Sequence, residues 1–195
     1  MKIAGIVLAG GKSSRYGKPK MFETYQGKYF YQHSVEALKQ NSLSPIVIAT
    51  NENLISYFEQ DDVDFIVEKE SETYQGPLFA IYNALSKISN VEWYFVLSCD
   101  TPFITPTFVD KMIQLAKNSY YDAIVPVQAG HIHPLLALYH QRSLVKMEQL
   151  LAKDKRKMQL LLDEISVLTV SFPTEDKMFI NINRPTDWHK CQEKN

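Results

Sequence analysis

Short apolar runs rich in β-branched and aromatic residues recur along the chain at residues 3–9, 45–50, 63–67, 93–99 and 123–127. Each is mostly apolar on both faces, the pattern of strands buried in the middle of a parallel sheet. Between them the spacing turns helical. Leu78, Ile81, Tyr82, Leu85 and Ile88 fall on one side of a helix. Thr105 followed by Pro106 reads as an N-cap with proline at the first helical position, and Phe108, Val109, Met112, Ile113 and Ala116 continue one apolar face. The order is βαβα. After Pro126 the rhythm changes: His131 and His133 precede an apolar run at 134–139, helical patterns follow at 144–151 and 158–162, and another apolar run spans 165–172. This predicts an added lobe or an antiparallel strand.

Length limits how much fold there is to build. At 195 residues, 45% of them hydrophobic and 12% aromatic, the chain suffices for one sizeable core, and no repeat or low-complexity linker divides it. A single domain over residues 1–195 is expected, with a frayed polar end at 190–195. The formal net charge of -1 lacks the broad positive field that recruits nucleic acid or an anionic membrane. Two cysteines, Cys99 and Cys191, make neither a disulfide framework nor a CxxC metal site, and the first residues lack the pattern of a signal peptide. Reduced thiols and a cytoplasmic location are the expectation.

Against that near-neutral background the segment after the first strand stands out. Leu8-Ala9-Gly10-Gly11-Lys12-Ser13-Ser14-Arg15-Tyr16-Gly17-Lys18-Pro19-Lys20 holds three of the seven glycines and four cations. Paired glycines let backbone N–H groups approach phosphate oxygens, and Lys12, Arg15, Lys18 and Lys20 stand within reach of a triphosphate. The loop is no Walker A motif, since the position five before Gly11 is Ile6, and G-x-G-x-x-G cannot be placed on Gly10, Gly11 and Gly17. A second candidate is Asp100, delivered at the end of an apolar strand before Thr101-Pro102. It is either a Mg²⁺ ligand or an Asx residue capping its own turn.

The loop resembles the nucleotidyltransferase signature L-A-[GA]-G-x-[SG]-x-R-[MF]-G-x-x-K, with Tyr16 in place of methionine or phenylalanine. Its Gly-Gly pair is most similar to the molybdenum cofactor guanylyltransferases, the MobA family. Cys99-Asp100-Thr101-Pro102, Gly76-Pro77-Leu78, His133-Pro134 and Phe179-Ile180-Asn181-Ile182-Asn183 resemble further stretches of that family. Two places depart: Glu68-Lys69 where an acid associated with nucleotide binding is usual, and Phe79-Ala80 for Ala-Gly.

The resemblance implies a three-layer α/β/α Rossmann-like nucleotidyltransferase fold, its central sheet mostly parallel with an antiparallel strand. It implies Mg²⁺-dependent transfer of GMP from GTP to the terminal phosphate of molybdopterin, with release of pyrophosphate. Arg15, Lys20 and Asp100 would be catalytic; Leu8, Ala9, Gly10, Gly11, Lys20, Gly76 and Asp100 would bind nucleotide, and Asp100 the metal. His133, Asn181 and Asn183 are candidates for substrate contact, the two amides sharing one face if their segment is a strand. Arg156, amid Lys153, Lys155 and Lys157, reads as a solvated helix end. Implied partners are GTP, molybdopterin, other cofactor-biosynthesis proteins and acceptor molybdoenzymes, without nucleic acid or membrane. Cytidylyl transfer, sugar-phosphate activation and a non-catalytic nucleotide-binding adaptor remain the alternatives.

Overall fold

The computed structural model describes residues 1–59, 62–69 and 75–192. In chain order, β1 (Ile3–Leu8) leads through the glycine loop to a small hairpin, β2 (Thr24–Tyr25) and β3 (Lys28–Tyr29), and to α1 (Phe30–Gln40). Then come β4 (Ile46–Asn51), β5 (Asp64–Glu68), α2 (Pro77–Leu85), β6 (Trp93–Ser98), α3 (Pro106–Ala116) and β7 (Ala123–Gln128). The remainder holds β8 (His131–Ile132), β9 (Leu136–His140), α4 (Ser143–Ala152), α5 (Met158–Leu162), β10 (Val167–Phe172) and α6 (Pro185–Gln192). Thr105 caps α3 as its sequence predicts, its hydroxyl accepting from the Phe108 amide at 3.2 Å. The tail is helical through Gln192 rather than frayed from residue 190, and residues 193–195 lie outside the described residues.

Eight strands join in one sheet in the order β10, β7, β9, β6, β1, β4, β5, with β8 on β7. β1 runs parallel to both β4 and β6, so the ends of these three strands reach the same rim. β9 is inserted antiparallel between β6 and β7. The change of rhythm after Pro126 is therefore an antiparallel strand and no separate lobe. Pro126 sits where β7 changes partners, between its pairing with β9 at Ala123 and Ile124 and with β8 at Val127 and Gln128. A residue without an N–H costs no ladder bond there, and its carbonyl accepts from His133 N at 2.9 Å. β5 corrects one expectation: despite its apolar run it is an edge strand, with Asp64 and Val67 exposed.

Alternation along β1 builds the layers. Ile3 and Val7 face α1 and α3, meeting Val35, Leu38, Phe108 and Met112. Ala4 and Ile6 face α2, α4 and α5, meeting Leu78, Ile81, Met147 and Leu161. The result is helix, sheet, helix. Gly5 lets α1 come close, since a Cβ there would lie 2.8 Å from Leu38 Cδ1. No described helix is long and apolar enough to cross a membrane.

A third cluster decides where the site is. Tyr16, Phe30, Ile182 and Trp188 are buried together, and the Trp188 ring stands edge-on to Phe30 at 5.0 Å and Tyr25 at 5.6 Å. The C-terminal segment is thereby folded back over the glycine loop. Trp188→Ala should lower stability by about 3–5 kcal/mol, the usual loss for truncating a buried tryptophan, read as a reduced urea midpoint.

His133 offers a pH test. Its half-buried ring lies 4.6 Å from the Phe179 ring, Nε2 has no hydrogen-bond partner among the described residues, and burial plus His131 hold the imidazole below its ordinary 6.5. Charging it is thus harder in the folded chain than in the unfolded one. The unfolded chain takes up the proton first as pH falls, so stability is full above about 6.5 and declines below. The urea midpoint should drop between pH 7.5 and 5.5, and drop less in His133→Phe.

Candidate active site

As β1 ends, the chain is tied on both sides. Ala9 N donates to Ala49 O at 2.8 Å, and Cys99 N donates to Leu8 O at 3.2 Å. Thr50 Oγ1 donates to Ala9 O at 3.2 Å and Asn51 Nδ2 to Gly10 O at 3.1 Å. The carbonyls of the loop are thus turned into the protein, while no described residue accepts the N–H of Gly10 or Gly11. A Cβ on Gly10 would press on Thr50 Cα at 3.4 Å, whereas Gly11 faces open space. Free amides flanked by cations form an anion-binding hollow.

The rest of the loop folds on itself. Ser13 O accepts from Tyr16 N at 2.8 Å and Gly17 N at 3.2 Å, and Ser13 Oγ accepts from Lys20 N at 3.2 Å. Tyr16 is buried, and its hydroxyl donates to Glu23 Oε2 at 2.9 Å, where Lys18 also pairs at 2.9 Å. Burial pushes the Glu23 carboxyl up, but Lys18 and Tyr16 outweigh it and hold the carboxyl below its ordinary range. Tyr16 is therefore more than a conservative stand-in: its hydroxyl supplies an anchor that methionine or phenylalanine lacks. Lys18 corrects another expectation, since its charge serves Glu23 and not the cavity.

Lys20 turns inward. Its Nζ lies 3.0 Å from Asp100 Oδ2, 3.1 Å from Ile182 O and 3.1 Å from Asn183 Oδ1, so all three N–H donors are used. Both members of the ion pair are largely enclosed, 13% and 14% exposed. Ile182 N in turn donates to Asp100 O at 2.8 Å. The turn after β6 is closed by Thr101, whose hydroxyl donates to Ser98 O at 2.9 Å. Asp100 is thus not the cap of its own turn, and its carboxylate reaches across to Lys20. Beside it the buried Cys99 thiol is pushed up to about 12 by burial and the Asp100 charge.

These groups border a cavity of about 450 Å³. Gly10, Gly11, Lys12 and Arg15 form one side, Lys20, Ser98, Asp100 and Asn183 another, and Ala49 and Glu68 a third. Leu8 lines it too, while Ala9 is buried behind. Arg15 is exposed and makes no ion pair or hydrogen bond among the described residues. Gly76 lines the cavity at φ +96°, and a Cβ there would lie 3.2 Å from Arg156 Cβ and 3.3 Å from Arg156 O. Arg156 is no loose helix end: Nη1 donates to Gln75 Oε1 at 2.6 Å, and its carbonyl accepts from Leu78 N at 3.3 Å.

Two candidates fall elsewhere. The segment around Asn181 and Asn183 forms no strand, so the amides do not share a face: Asn183 holds Lys20, while Asn181 is exposed and outside the cavity lining. His133 packs on Phe179 and also stays outside it. Sequence reasoning missed Ser98, Gln75 and the Ile182 carbonyl. For the last no side-chain signal exists.

The donor set suits a hard cation. Asp100 Oδ2, Asn183 Oδ1 and Ile182 O already gather around one ammonium, and magnesium takes a few protein oxygens plus water and substrate phosphates. No group of three His, Cys, Asp or Glu side chains able to hold a metal occurs among the described residues. Asp100 would be the carboxylate ligand.

Residues 5–167 match the family described as MobA-like NTP transferase domain. A relative from Geobacillus sp., named "Probable molybdenum cofactor guanylyltransferase", is 37% identical over 191 residues, 96% of each chain. One of the same name from Halalkalibacterium halodurans is 35% identical over 189 residues, 94% of each chain. Among solved structures, molybdopterin-guanine dinucleotide biosynthesis protein A from Archaeoglobus fulgidus has a TM-score of 0.74 at 24% identity, covering 100% of this chain and 98% of that one. The 4-diphosphocytidyl-2C-methyl-D-erythritolsynthase from Anaerococcus prevotii gives 0.78 at 12% identity, with coverage of 100% and 96%. These structural likenesses carry the fold, and the family match with the two close relatives carries the rest: the chain belongs to the MobA-like NTP transferase family of nucleotidyltransferases.

Proposed function

We propose that this chain, acting as a single domain over residues 1–195, transfers GMP from GTP to the terminal phosphate of molybdopterin and releases pyrophosphate. The observation that carries the reading is the meeting of the Lys20 ammonium and the Asp100 carboxylate, 3.0 Å apart, in the cavity walled by the Gly10-Gly11 amides. The relatives named molybdenum cofactor guanylyltransferase support the choice of both substrates.

In this reaction an oxygen of the acceptor phosphate bonds to the α-phosphorus of GTP as the bond to the bridging oxygen of the β-phosphate breaks. The electron pair leaves with pyrophosphate. The nucleophile is already an anion, so the protein needs no general base and instead holds two repelling anions in line. The Gly10 and Gly11 amides receive phosphate oxygens, and Arg15, without an ion pair or hydrogen bond among the described residues, closes on them from the solvent side. Lys20 exchanges Asp100 for the α-phosphate, where its charge offsets what accumulates as the bond breaks. Asp100, Asn183 and the Ile182 carbonyl would hold a Mg²⁺, which would supply positive charge to the phosphates.

The same reading assigns nucleotide contact to Leu8, Ala9 and Gly76 as well, and acceptor contact to Asn183. His133 and Asn181 stay as weaker candidates for acceptor contact, since neither lines the cavity. The product passes to molybdoenzymes and other proteins of cofactor biosynthesis, in a cytoplasm that keeps Cys99 and Cys191 out of disulfides.

Incubation with molybdopterin, magnesium and each labelled nucleoside triphosphate tests the whole: pyrophosphate should appear fastest with GTP. Faster release with CTP overturns the guanine assignment. Lys20→Ala should cut turnover by a factor on the order of 10² to 10³, the cost of losing one well-placed charge donor, and unchanged turnover removes Lys20 from the mechanism. Asp100→Ala should abolish the magnesium dependence of GTP binding with the fold intact. Superimposable magnesium titrations of the two proteins would show that the carboxylate holds no metal.

A further inference from the structure

Five serine and threonine side chains are buried among the described residues, and they fall into two groups. Thr50, Thr101 and Ser143 each donate to a backbone carbonyl, at 3.2, 2.9 and 2.7 Å. The hydroxyls of Ser34 and Ser98 have no partner among the described residues. Ser34 is sealed in the core on α1, whereas Ser98, 8% exposed, lines the central cavity. A hydroxyl placed there is served by solvent until a ligand displaces it. The ligand must then return a hydrogen bond or bear the cost of leaving the group unmet.

The sheet register fixes what surrounds it. Leu8 pairs with Ala49 on one side and Ser98 on the other, and Leu97 pairs with Leu136, so the next step brings Leu135 beside Ser98. Ala49, Leu8 and Leu135 pack on the α2 side of the sheet, and alternation from Tyr94 and Val96 turns Ser98 to that same face. All four line the cavity, as does the start of α2 at Pro77 and Ala80. Ser98 is thus a single polar side chain in a row that is otherwise apolar.

Asp100, the partner of Lys20, stands two residues further along the chain. Two residues of strand cover about 7 Å, the scale of one sugar. With the α-phosphate at Lys20, what rests on this row is the unit joined directly to that phosphate. The row carries no cation, since Lys12, Arg15 and Lys20 all reach the cavity from the glycine loop. An acceptor phosphate is an anion and needs such a charge beside it, whereas a ribose is neutral and combines an apolar ring with hydroxyls. Of the two substrates, only the nucleotide carries sugar hydroxyls. We infer that the Ser98 hydroxyl hydrogen-bonds a ribose hydroxyl of the nucleotide, a specificity-determining contact that favours ribonucleotide over deoxynucleotide, and this rests on GTP being the donor.

The test measures dissociation constants by calorimetry for GTP, 2′-deoxy-GTP and 3′-deoxy-GTP, each with magnesium, on wild type and Ser98→Ala, alongside thermal melting. Wild type should bind at least one of the two deoxynucleotides about 2- to 10-fold more weakly than GTP, the range for one hydrogen bond, and the analogue affected identifies the hydroxyl. Ser98→Ala should weaken GTP by a similar factor and bind that deoxynucleotide as well as it binds GTP. Its melting temperature should stay at the wild-type value, since the hydroxyl has no internal partner to lose. A wild type that binds all three nucleotides alike overturns the ribose contact without recourse to the variant. So does a Ser98→Ala protein that keeps the wild-type preference. In both cases GTP still binds. A wild type that binds no GTP sinks the donor assignment, and this inference falls with it.

Discussion

The ammonium of Lys20 joins three parts of the chain, the glycine loop, the end of β6 and the C-terminal segment, at one point. A half-buried charge must be matched by charge or hydrogen bonds, because leaving either partner unpaired costs more than the pair gains. Lys20 meets that demand with the carboxylate at the end of β6 and with a carbonyl and an amide oxygen from the C-terminal segment. Asp100 and Lys20 thus match each other's charge. On the proposed mechanism, a magnesium nucleotide would offer each a replacement at once, so that neither would be stranded during the exchange.

The sheet makes that meeting possible. Because β1, β4 and β6 are parallel, the glycine loop, Asn51 and Asp100 all emerge on one rim. Antiparallel β9, wedged beside β6, brings Leu135 to the same rim from the opposite chain direction. Open α/β sheets place ligands beyond the carboxyl ends of their strands for this reason. Here the loop is further stiffened by Tyr16, whose hydroxyl ties it to Glu23 and whose ring joins the cluster around Trp188. Amides fixed before a ligand arrives lose less entropy on binding it.

What was legible in the sequence was local. An apolar run followed by Gly10-Gly11, and another ending in Asp100, are contiguous signals, and both strands formed where the pattern put them. Contacts across long separations left no such trace. Lys20 meets Asn183 across 163 positions and Arg156 meets Gln75 across 81, and no periodicity encodes either. The alternation at 180–183 has the period of a strand, but a segment with no neighbour to pair with does not become one. It crosses the loop as irregular backbone, pinned at Ile182. β5 misled in the opposite sense: its composition is that of a central strand, while its place in the order is at the edge. Tyr16 looked like a neutral substitution because the worth of its hydroxyl depends on Glu23.

The return of the C-terminal segment separates two properties that usually travel together. Ile182 and Asn183 complete the cage around Lys20, yet they are tied to the body by the Trp188 cluster and a few hydrogen bonds, outside the sheet's ladders. Such peripheral units open at lower free energy than the core they rest on. On the proposed mechanism, fraying of this flap would therefore dismantle the chemistry while every ladder of the sheet stays closed. A population of chains could be folded by any global measure and still be catalytically silent, so that the fraction of competent molecules follows a local equilibrium and not the global one.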